Sequence, residues 1–305
     1  MHKYRQFIKV YPGCTKEQAR LSRYCTMKVG GPADLLVEAN TPDELISAVK
    51  LSRKLGIRYF VLAGGSNIIF DDRGFRGLVI RYLADQVILD PIRKVVEVGA
   101  GCRLSKLVKQ LADKNFGGID FLANIPGSVG GAVVGNAGCY GQDVSHVLKD
   151  ATIFNVKTSR TLVLPPQQLG FTYRNSKLKQ KPHLLVLSAR LKVNPDRRQR
   201  ILKVIEKERQ LRWVKHPHAP SVGSFFKNPP GIAAWKLIDA AGMRGVTLGG
   251  ARVSAKHSNH LINYRRAKAK DILKLAAKVR SAVRAKTGVV LEPEARFISE
   301  TGAIT

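Results

Sequence analysis

The stretch Ile125–Gly141, IPGSVGGAVVGNAGCYG, guides the interpretation of the whole chain. It holds six glycines in seventeen residues and no charged residue. Glycine reaches positive φ and, having no Cβ, lets the backbone approach a ligand closely. The segment therefore predicts a main-chain surface shaped around a flat or anionic ligand. An ordinary loop is the less favoured alternative, because the stretch is long and uncharged.

A second glycine-rich turn lies upstream, where AGGSN at 63–67 follows the apolar run Tyr59–Leu62. Two such turns in the N-terminal half indicate a ligand with two ends, such as a dinucleotide. A third run, GAGCRL at 99–104, resembles the start of a Rossmann fingerprint. It has Leu104 where the third glycine is needed, so we interpret it as a turn of little functional weight.

Length and cysteine usage bound the class of protein. The 305 residues allow two or three structural units, and a hydrophobic content of 44% is ordinary for a globular chain. The N-terminus lacks a signal-peptide pattern. No CxxC pair occurs, which predicts free thiols in a reducing compartment and therefore a cytoplasmic protein. The cysteines are Cys14, Cys25, Cys102 and Cys139.

The formal net charge of +30 has two interpretations. Much of it lies in 197–215, with eight basic and two acidic residues, and in 265–286, with nine basic and one acidic. A nucleic-acid binder is one interpretation. A soluble enzyme with basic helix faces is the favoured one, because no DNA-binding helix signature or ribonucleoprotein motif is present. We expect no specific nucleic acid partner.

The stretch 121–142 is uncharged for 22 residues, which is long enough for a membrane helix. Its six glycines and Pro126 argue against one, so no membrane insertion is expected.

Periodicity predicts an α+β fold without regular βαβ alternation. TPDE at 41–44 is a capping box that opens a helix to about Leu55. The other predicted helices are Arg103–Lys114, Ile201–Trp213, Ile232–Ala241 and Asp271–Arg284. The predicted strands are Leu35–Ala39, Arg58–Leu62, Leu78–Tyr82, Gln86–Leu89, Lys94–Val98, Val147–Thr158, Arg160–Leu164 and Leu184–Val193.

Three short motifs place reactive side chains in turns. FTYRNS at 171–176 puts a tyrosine beside an arginine, which alone is a weak signal. In GSFFKNP at 223–229 the glycine would leave the serine hydroxyl exposed, although a buried turn with a capping serine is the alternative. In LEPEAR at 291–296, Glu292 and Glu294 share one face if the segment is extended.

Taken together, the motifs closely resemble the UDP-N-acetylenolpyruvoylglucosamine reductase family, whose flavoenzymes complete UDP-N-acetylmuramate for the bacterial cell wall. The resemblance spans about residues 20–299, and it rests on seven motifs in the family's order. These are TMKVGGPAD (26–34), AGGSN (63–67), IPGSVGGAVVGNAG (125–138), FTYRNS (171–176), PSVGSFFKNP (220–229), AGMRG with GGARVSAKHSNHLIN (241–263), and LEPEAR (291–296).

This resemblance implies an FAD-binding portion of the vanillyl-alcohol-oxidase (PCMH) type at 1–195, with subdomains at about 1–75 and 76–195. A C-terminal substrate-binding domain at 196–305 would return its last residues to the flavin. FAD would be bound non-covalently, with NADPH as co-substrate and a monomer as the working form. The implied cofactor-binding residues are Gly30, Gly31, Gly64, Gly65, Ser66, Asn67, Pro126, Gly127, Ser128, Gly130, Gly131, Asn136 and Gly138.

The resemblance also implies a reaction in two halves. NADPH reduces FAD, and hydride from FAD N5 then reduces the enolpyruvyl group of UDP-N-acetylglucosamine enolpyruvate. Ser224 matches the proton donor, and Arg174 and Glu294 match the residues that stabilise the enolate. That role requires Glu294 to have a raised pKa. Glu292 is the alternative carboxylate. Tyr173, Lys227, Asn228 and Asn259 match substrate-binding positions.

Four residues depart from the family pattern. His216 replaces a usual glutamine, Val222 an alanine, Gly135 a larger residue, and His260 an aromatic or apolar residue. The short gap after Arg174 resembles the family type that lacks an extra tyrosine-bearing loop. No metal site is expected, because no ligand spacing repeats among the histidines. A flavin oxidase or dehydrogenase on the same scaffold, and a non-catalytic basic binding protein, are the alternative functions.

Overall fold

Helices and strands alternate irregularly in the computed structural model, which describes residues 2–304. Within these residues the α-helices are α1 (His2–Val10), α2 (Pro42–Lys54), α3 (Leu104–Asp113), α4 (Val129–Gly135), α5 (Val144–Val147), α6 (Pro166–Leu169), α7 (Lys177–Gln180), α8 (Arg198–Lys215), α9 (Ala234–Ala240) and α10 (Ala269–Thr287). Short 3₁₀ helices cover Leu21–Arg23 and Asp120–Leu122.

The strands are β1 (Thr15–Arg20), β2 (Pro32–Ala39), β3 (Tyr59–Leu62), β4 (Ile68–Phe70), β5 (Phe75–Tyr82), β6 (Val87–Asp90), β7 (Val95–Gly99), β8 (Phe116–Gly117), β9 (Gly138–Cys139), β10 (Gln142–Asp143), β11 (Leu148–Asn155), β12 (Arg160–Leu164), β13 (Leu184–Lys192), β14 (Asn194–Pro195), β15 (Thr247–Leu248), β16 (Ala251–Val253), β17 (Leu261–Asn263) and β18 (Arg296–Ile298).

The chain divides into two compact units. Unit 1 is Met1–Thr15, Val37–Gly64 and Ile80–Gln210, and unit 2 is Lys16–Leu36, Gly65–Val79 and Leu211–Thr305. The predicted domains, 1–195 and 196–305, remain a prediction. The observed units divide the chain differently, because 16–36 and 65–79 belong to the same compact unit as the C-terminal residues 211–305.

Unit 1 is built on a five-stranded sheet in the order β12-β11-β13-β7-β6, with antiparallel neighbours throughout. The central strand β13 is buried along most of its length, and α4 packs against it. Tyr82 donates a hydrogen bond from its buried hydroxyl to Leu187 O at 2.9 Å. Helix α3 buries the apolar face that its sequence predicted: Leu104, Leu107, Val108, Leu111 and Ala112.

Helix α2 begins where the capping box predicted. Thr41 Oγ1 accepts a hydrogen bond from Glu44 N at 3.2 Å. The Glu44 carboxylate accepts from Asn40 N at 2.6 Å, one residue before the expected partner. The second hydrogen bond of the capping box therefore comes from Asn40 N instead of Thr41 N, and the helix begins where it was predicted to begin.

Unit 2 contains the antiparallel sheet β15-β16-β17, the parallel pair β4 and β18, and the helices α9 and α10. Helix α10 contributes the predicted apolar stripe to the core, and Ile272, Leu275, Val279 and Val283 are fully buried. Its lysines and arginines occupy the opposite face. The core of this unit also contains Val222, Phe225 and Phe226 from the GSFFKNP motif region.

Among residues 2–304, no helix combines the length and apolar character needed to cross a membrane.

Free thiols differ in their exposure. Cys25 and Cys102 are buried, whereas Cys14 and Cys139 are half-buried. Burial raises the pKa of the Cys25 thiol and raises the pKa of Cys102 to about 11. Because the thiolate is the reactive form, both buried groups should be poor nucleophiles near neutral pH.

We expect two fast-reacting thiols when the native protein is treated with a disulfide reagent at pH 8. At pH 8 a thiol with a pKa of about 11 is about one-thousandth ionised, whereas an ordinary thiol with a pKa of about 8.5 is about one-quarter ionised. Cys102 should therefore react roughly two hundredfold more slowly than an ordinary thiol. Cys139→Ser should remove one fast equivalent, and the control Cys102→Ser should remove none. Rapid reaction of all four thiols in the native protein would contradict the burial of Cys25 and Cys102.

Candidate active site

The glycine-rich segment is a turn that leads into a short helix. Ser128 is extended, and its Oγ accepts a hydrogen bond from Gly131 N at 3.3 Å, which caps α4. The helix ends at Asn136, which has φ +46°. Helix α4 was not predicted from the sequence, because three glycines in seven residues oppose a helix.

The two glycine-rich turns of the sequence meet in unit 1. A Cβ placed on Gly64 would lie 3.0 Å from Gly127 Cα and 3.2 Å from Ser128 N. A side chain at Gly64 would require these backbone atoms to shift by a few tenths of an ångström. Within unit 1 the fold therefore places Gly64 against the PGS turn at 126–128.

Several predicted cofactor-binding glycines are required by packing. A Cβ on Gly130 would lie 2.8 Å from Ala100 Cβ. Added Cβ atoms would overlap the backbone of Tyr24 at Gly65, of Asp72 at Gly31 and of Gln142 at Gly138. Gly30, with φ +122°, lies against Phe70. Close packing within each unit is therefore enough to explain these glycines.

Gly131 has no such explanation. Its residue is exposed, and the nearest atom to an added Cβ is Ser128 Oγ at 3.5 Å. An added Cβ at Gly135, four residues later in α4, would meet nothing within 4 Å. A ligand that lies close to the backbone would explain a glycine at Gly131, whereas Gly135 is a departure from the family pattern.

Arg174 lies in a tight turn closed by Thr172 and Asn175, which exchange two main-chain hydrogen bonds of 3.1 Å. Arg174 has φ +55°, an uncommon conformation for a side chain with a Cβ. Its guanidinium donates to Asn136 O at 3.4 Å and to Gly138 O. These bonds orient the guanidinium against the end of the glycine segment.

Asn136 connects that turn to the glycine segment. The residue is 2% exposed, and its Nδ2 donates to Thr172 O and to Asp143 Oδ2, both at 3.1 Å. Its Oδ1 accepts from Ser145 N at 3.1 Å. Asn136 was predicted as a cofactor-binding residue, and its observed contacts are all within the protein. The NAG sequence after the helix, with asparagine in a left-handed cap, is a signal that could have suggested this role.

Ser224 is exposed on a turn whose neighbours are anchored. Gly223 has φ +80°, and Phe225 and Phe226 are 3% and 1% exposed. The aromatic pair fixes the turn in the core of unit 2 while the hydroxyl stays at the surface. This geometry agrees with the expectation of an accessible serine.

The LEPEAR segment runs antiparallel to the serine turn. Lys227 N donates to Glu292 O at 2.9 Å, and Glu294 N donates to Phe225 O at 2.8 Å. On the other edge, Asn67 Nδ2 donates to Glu294 O at 2.9 Å. Main-chain pairing therefore holds Glu294 beside the residue that follows Ser224.

Glu292 and Glu294 have different surroundings. The Glu292 side chain is 69% exposed and accepts from Lys227 Nζ at 2.5 Å. Glu294 is half-buried. The burial favours Glu294 over Glu292 as the carboxylate predicted to stabilise the enolate. Lys227, a predicted substrate-binding residue, lies next to Glu292.

Two predicted substrate-binding asparagines support the fold around the serine turn. Asn259 is buried, with its side chain accepting from Phe226 N at 2.9 Å and donating to Phe226 O at 2.8 Å. Asn228 Oδ1 accepts from Ala234 N, the first residue of α9, at 3.0 Å. Tyr173 is 52% exposed, and its ring centre lies 5.2 Å from the Arg174 guanidinium carbon.

Comparison with known proteins identifies the family. Residues 215–298 match the model of the UDP-N-acetylenolpyruvoylglucosamine reductase C-terminal domain, and 33–160 match an FAD binding domain. The reductase of Rubrobacter xylanophilus is 38% identical over 280 residues, which cover 92% of this chain and 94% of that one. The chain belongs to the UDP-N-acetylenolpyruvoylglucosamine reductase family.

Other members of the reductase family agree with this assignment. The reductase of Trichlorobacter lovleyi is 39% identical, with 91% of each chain covered. The crystal structure of the Thermus caldophilus reductase has a TM-score of 0.78 and 34% identity, and the match covers 91% of this chain and 97% of that one. The α+β prediction is confirmed by this match.

Reductases of this family are FAD-dependent oxidoreductases, and the matched FAD binding domain includes both glycine-rich turns. The close approach of Gly64 to Gly127 and the open surface at Gly131 fit a cofactor held by main-chain groups. The residues present therefore suit FAD.

Replacing Asn136 should destabilise the protein through two separable effects. Asn136→Ala removes buried hydrogen bonds and keeps a Cβ at positive φ without the side-chain amide that makes this conformation more accessible to asparagine, so we expect the free energy of unfolding to fall by about 2–4 kcal/mol. Asn136→Gly removes the same bonds but permits the backbone, so its loss should be about 1 kcal/mol smaller. Urea unfolding followed by circular dichroism measures both. If Asn136→Ala were nearly as stable as the wild type, the Asn136 side chain would not be needed to join the Arg174 turn to the glycine segment.

Gly131→Ala should lower the affinity for FAD while leaving the fold intact. An added methyl group meets no protein atom closer than 3.5 Å, so only a close ligand would oppose it. Gly135→Ala is the matched control in the same helix, and it should retain full flavin content. Flavin absorbance per protein after dialysis measures the difference. Equal flavin content in both variants would show that the backbone of Gly131 does not face the cofactor.

Proposed function

We propose that this chain reduces UDP-N-acetylglucosamine enolpyruvate to UDP-N-acetylmuramate for peptidoglycan synthesis, with NADPH as the reductant and non-covalent FAD as the cofactor. The observation that carries the proposal is the main-chain pairing of Glu294 with Phe225, which holds half-buried Glu294 beside the residue that follows exposed Ser224. Membership of the reductase family supplies the substrate. FAD, when bound, supplies the transfer of hydride from NADPH to the enolpyruvyl group.

The glycine-rich turns would hold FAD. Main-chain N–H groups of Gly64–Asn67 and Pro126–Gly138 are the proposed donors to its phosphates and ring system. Gly30 and Gly31 support this surface through packing. Asn136 acts indirectly, because its side chain is used to join the Arg174 turn to the glycine segment.

Ser224 is the proposed proton donor. Hydride addition at the terminal carbon of the enolpyruvyl group leaves negative charge at the carbon beside the carboxylate, and the serine hydroxyl gives its proton to that carbon. An ordinary serine is a weak acid, so the charge must be stabilised until the proton arrives. The exposed position of Ser224 is suited to that transfer.

Arg174 and Glu294 are proposed to stabilise the enolate. A guanidinium can bind the enolpyruvate carboxylate or the enolate oxygen in a two-pronged geometry. Two hydrogen bonds to the glycine segment already orient the Arg174 side chain, which lowers the cost of placing it. Glu294 can act only in its protonated form or through a shared proton, so we predict that its pKa is raised in the complex.

Lys227 and Tyr173 are the proposed contacts to the sugar nucleotide. The bond from Lys227 to exposed Glu292 is a surface ion pair, which contributes little, so the ammonium can exchange it for a phosphate. Asn228 and Asn259 are better described as positioning residues, because their side chains bond to the backbone that surrounds the serine turn.

We further propose a cytoplasmic monomer without a specific nucleic acid partner. The positive net charge would favour encounter with anionic substrates such as a sugar nucleotide and NADPH. A flavin oxidase or dehydrogenase with another substrate is the alternative. An exposed serine beside a half-buried carboxylate favours the reductase, because an oxidase needs no such proton donor.

The test separates the two half-reactions in anaerobic stopped-flow measurements. Glu294→Gln should be reduced by NADPH at nearly the wild-type rate, and its reoxidation by the enolpyruvyl sugar nucleotide should be about 10²-fold slower. Ser224→Ala should slow the same step by about 10²–10⁴-fold. Both effects follow because these side chains act only after the hydride has reached the substrate.

Glu292→Gln is the matched control, since it removes a neighbouring carboxylate of the same segment, and both half-reactions should stay close to wild type. Equal losses in the two half-reactions of Glu294→Gln would overturn the role given to Glu294. A wild-type protein whose flavin is reoxidised by oxygen but not by the enolpyruvyl substrate would support the alternative function.

A further inference from the structure

Three histidines that are separate in sequence form a cluster in unit 2. His216 follows the last residue of α8, and His257 and His260 lie in the loop between β16 and β17. One ring nitrogen from each lies within 4.8 Å of the others. The ring centres are 5.0 Å apart for His216 and each partner, and 4.8 Å apart for His257 and His260.

Two buried ring nitrogens of the cluster have no hydrogen-bond partner among the described residues. His216 Nδ1 and His260 Nε2 are 3.0 Å apart and share one hydrogen bond. His260 is 4% exposed, and its Nδ1 has no hydrogen-bond partner among residues 2–304. The buried Nδ1 of His257 likewise has none in the described chain. Buried polar atoms are rarely left unpaired, so simple packing does not account for this arrangement.

All three rings are neutral at neutral pH. Burial lowers the pKa of His216 to about 4 and that of His260 to about 2, and it also lowers the pKa of His257. Arg212 and Lys215 add to the effect at His216, and Arg244 adds to it at His257, where Asp239 opposes it. Neutral imidazole is the form that binds a metal ion.

We propose that His216, His257 and His260 form a binding site for a divalent transition-metal ion of the zinc type. Imidazole nitrogens are favoured ligands of such ions, and three of them with one water complete a tetrahedral set. Tetrahedral bonds of about 2.1 Å separate ligand nitrogens by about 3.4 Å. His216 Nδ1 and His260 Nε2 are 3.0 Å apart, and one nitrogen of each ring lies within 4.8 Å of the others, so modest ring rotations would form the site.

The site would connect two segments around the serine turn. Asn259, next to His260, accepts a hydrogen bond from Phe225 N at 2.7 Å through its main-chain oxygen. A metal ion would thus join the end of α8 to the loop that supports the turn of Ser224. The proposed role is structural, since none of the three histidines carries a step of the reaction.

Metal titration of untagged, chelator-treated holoenzyme tests the proposal. Co²⁺ should bind with one equivalent per chain and give the visible absorption of a tetrahedral nitrogen-ligated ion, and Zn²⁺ should displace it. His216→Gln and His257→Gln should each weaken binding at least tenfold. His183→Gln, in unit 1 and outside the cluster, is the control and should bind as wild type does.

His216→Gln keeps a polar group toward His260, and circular dichroism and flavin content verify its fold. Zn²⁺ should raise the thermal unfolding temperature of the wild type and of His183→Gln, but not of His216→Gln. Absence of stoichiometric Co²⁺ binding, or equal binding by all variants, would overturn the proposal. These measurements report metal binding, so their outcome is independent of the proposed catalytic function.

Discussion

Main-chain hydrogen bonds to Phe225 fix the serine turn from both sides. Its N–H donates to Asn259 O at 2.7 Å, and its carbonyl accepts from Glu294 N at 2.8 Å. Three segments that are far apart in the chain therefore depend on one buried residue. A buried backbone group left without a partner costs about 1–3 kcal/mol, so moving any one of these segments would disturb the other two. The relation of Ser224 to Glu294 is set by backbone pairing, and their side chains remain available for chemistry.

In the glycine segment a side chain, and not main-chain pairing, holds the neighbouring turn in place. Asn136 ends α4 in a left-handed conformation and uses its amide to hold Thr172, which closes the turn of Arg174. Ser176 Oγ donates to Val134 O at 2.7 Å and holds the other end of that turn. In each unit the reactive side chain is thus carried by a short turn, and the rigidity comes from polar groups that the reaction does not consume. The polar groups that hold these turns in place are therefore as important to the site as the groups that react.

Local signals in the sequence were sufficient for the longer amphipathic helices, but not for α4 or for the short strands β15, β16 and β17. The faces of α3 and α10 followed from their periodicity, and the start of α2 followed from its cap, because these features depend on neighbouring residues. Local signals could not predict which segments form each unit, because 16–36 and 65–79 belong with the C-terminal residues, which are distant in sequence. Substrate binding by Asn228 and Asn259 was implied by the family resemblance, and only the structure identifies the backbone atoms that their amides contact.

The histidines show what residue-by-residue reasoning omits. His216 and His260 were recognised as two unrelated departures from the family pattern, 44 positions apart, yet their ring nitrogens are 3.0 Å apart. Each replacement alone would place a polar ring in a half-buried or buried position, and each gains a partner from the other. Two protonated imidazoles would repel at this distance, and burial disfavours that state by lowering both pKa values. The two departures are therefore one structural change, and His257 extends it to a set of nitrogen ligands.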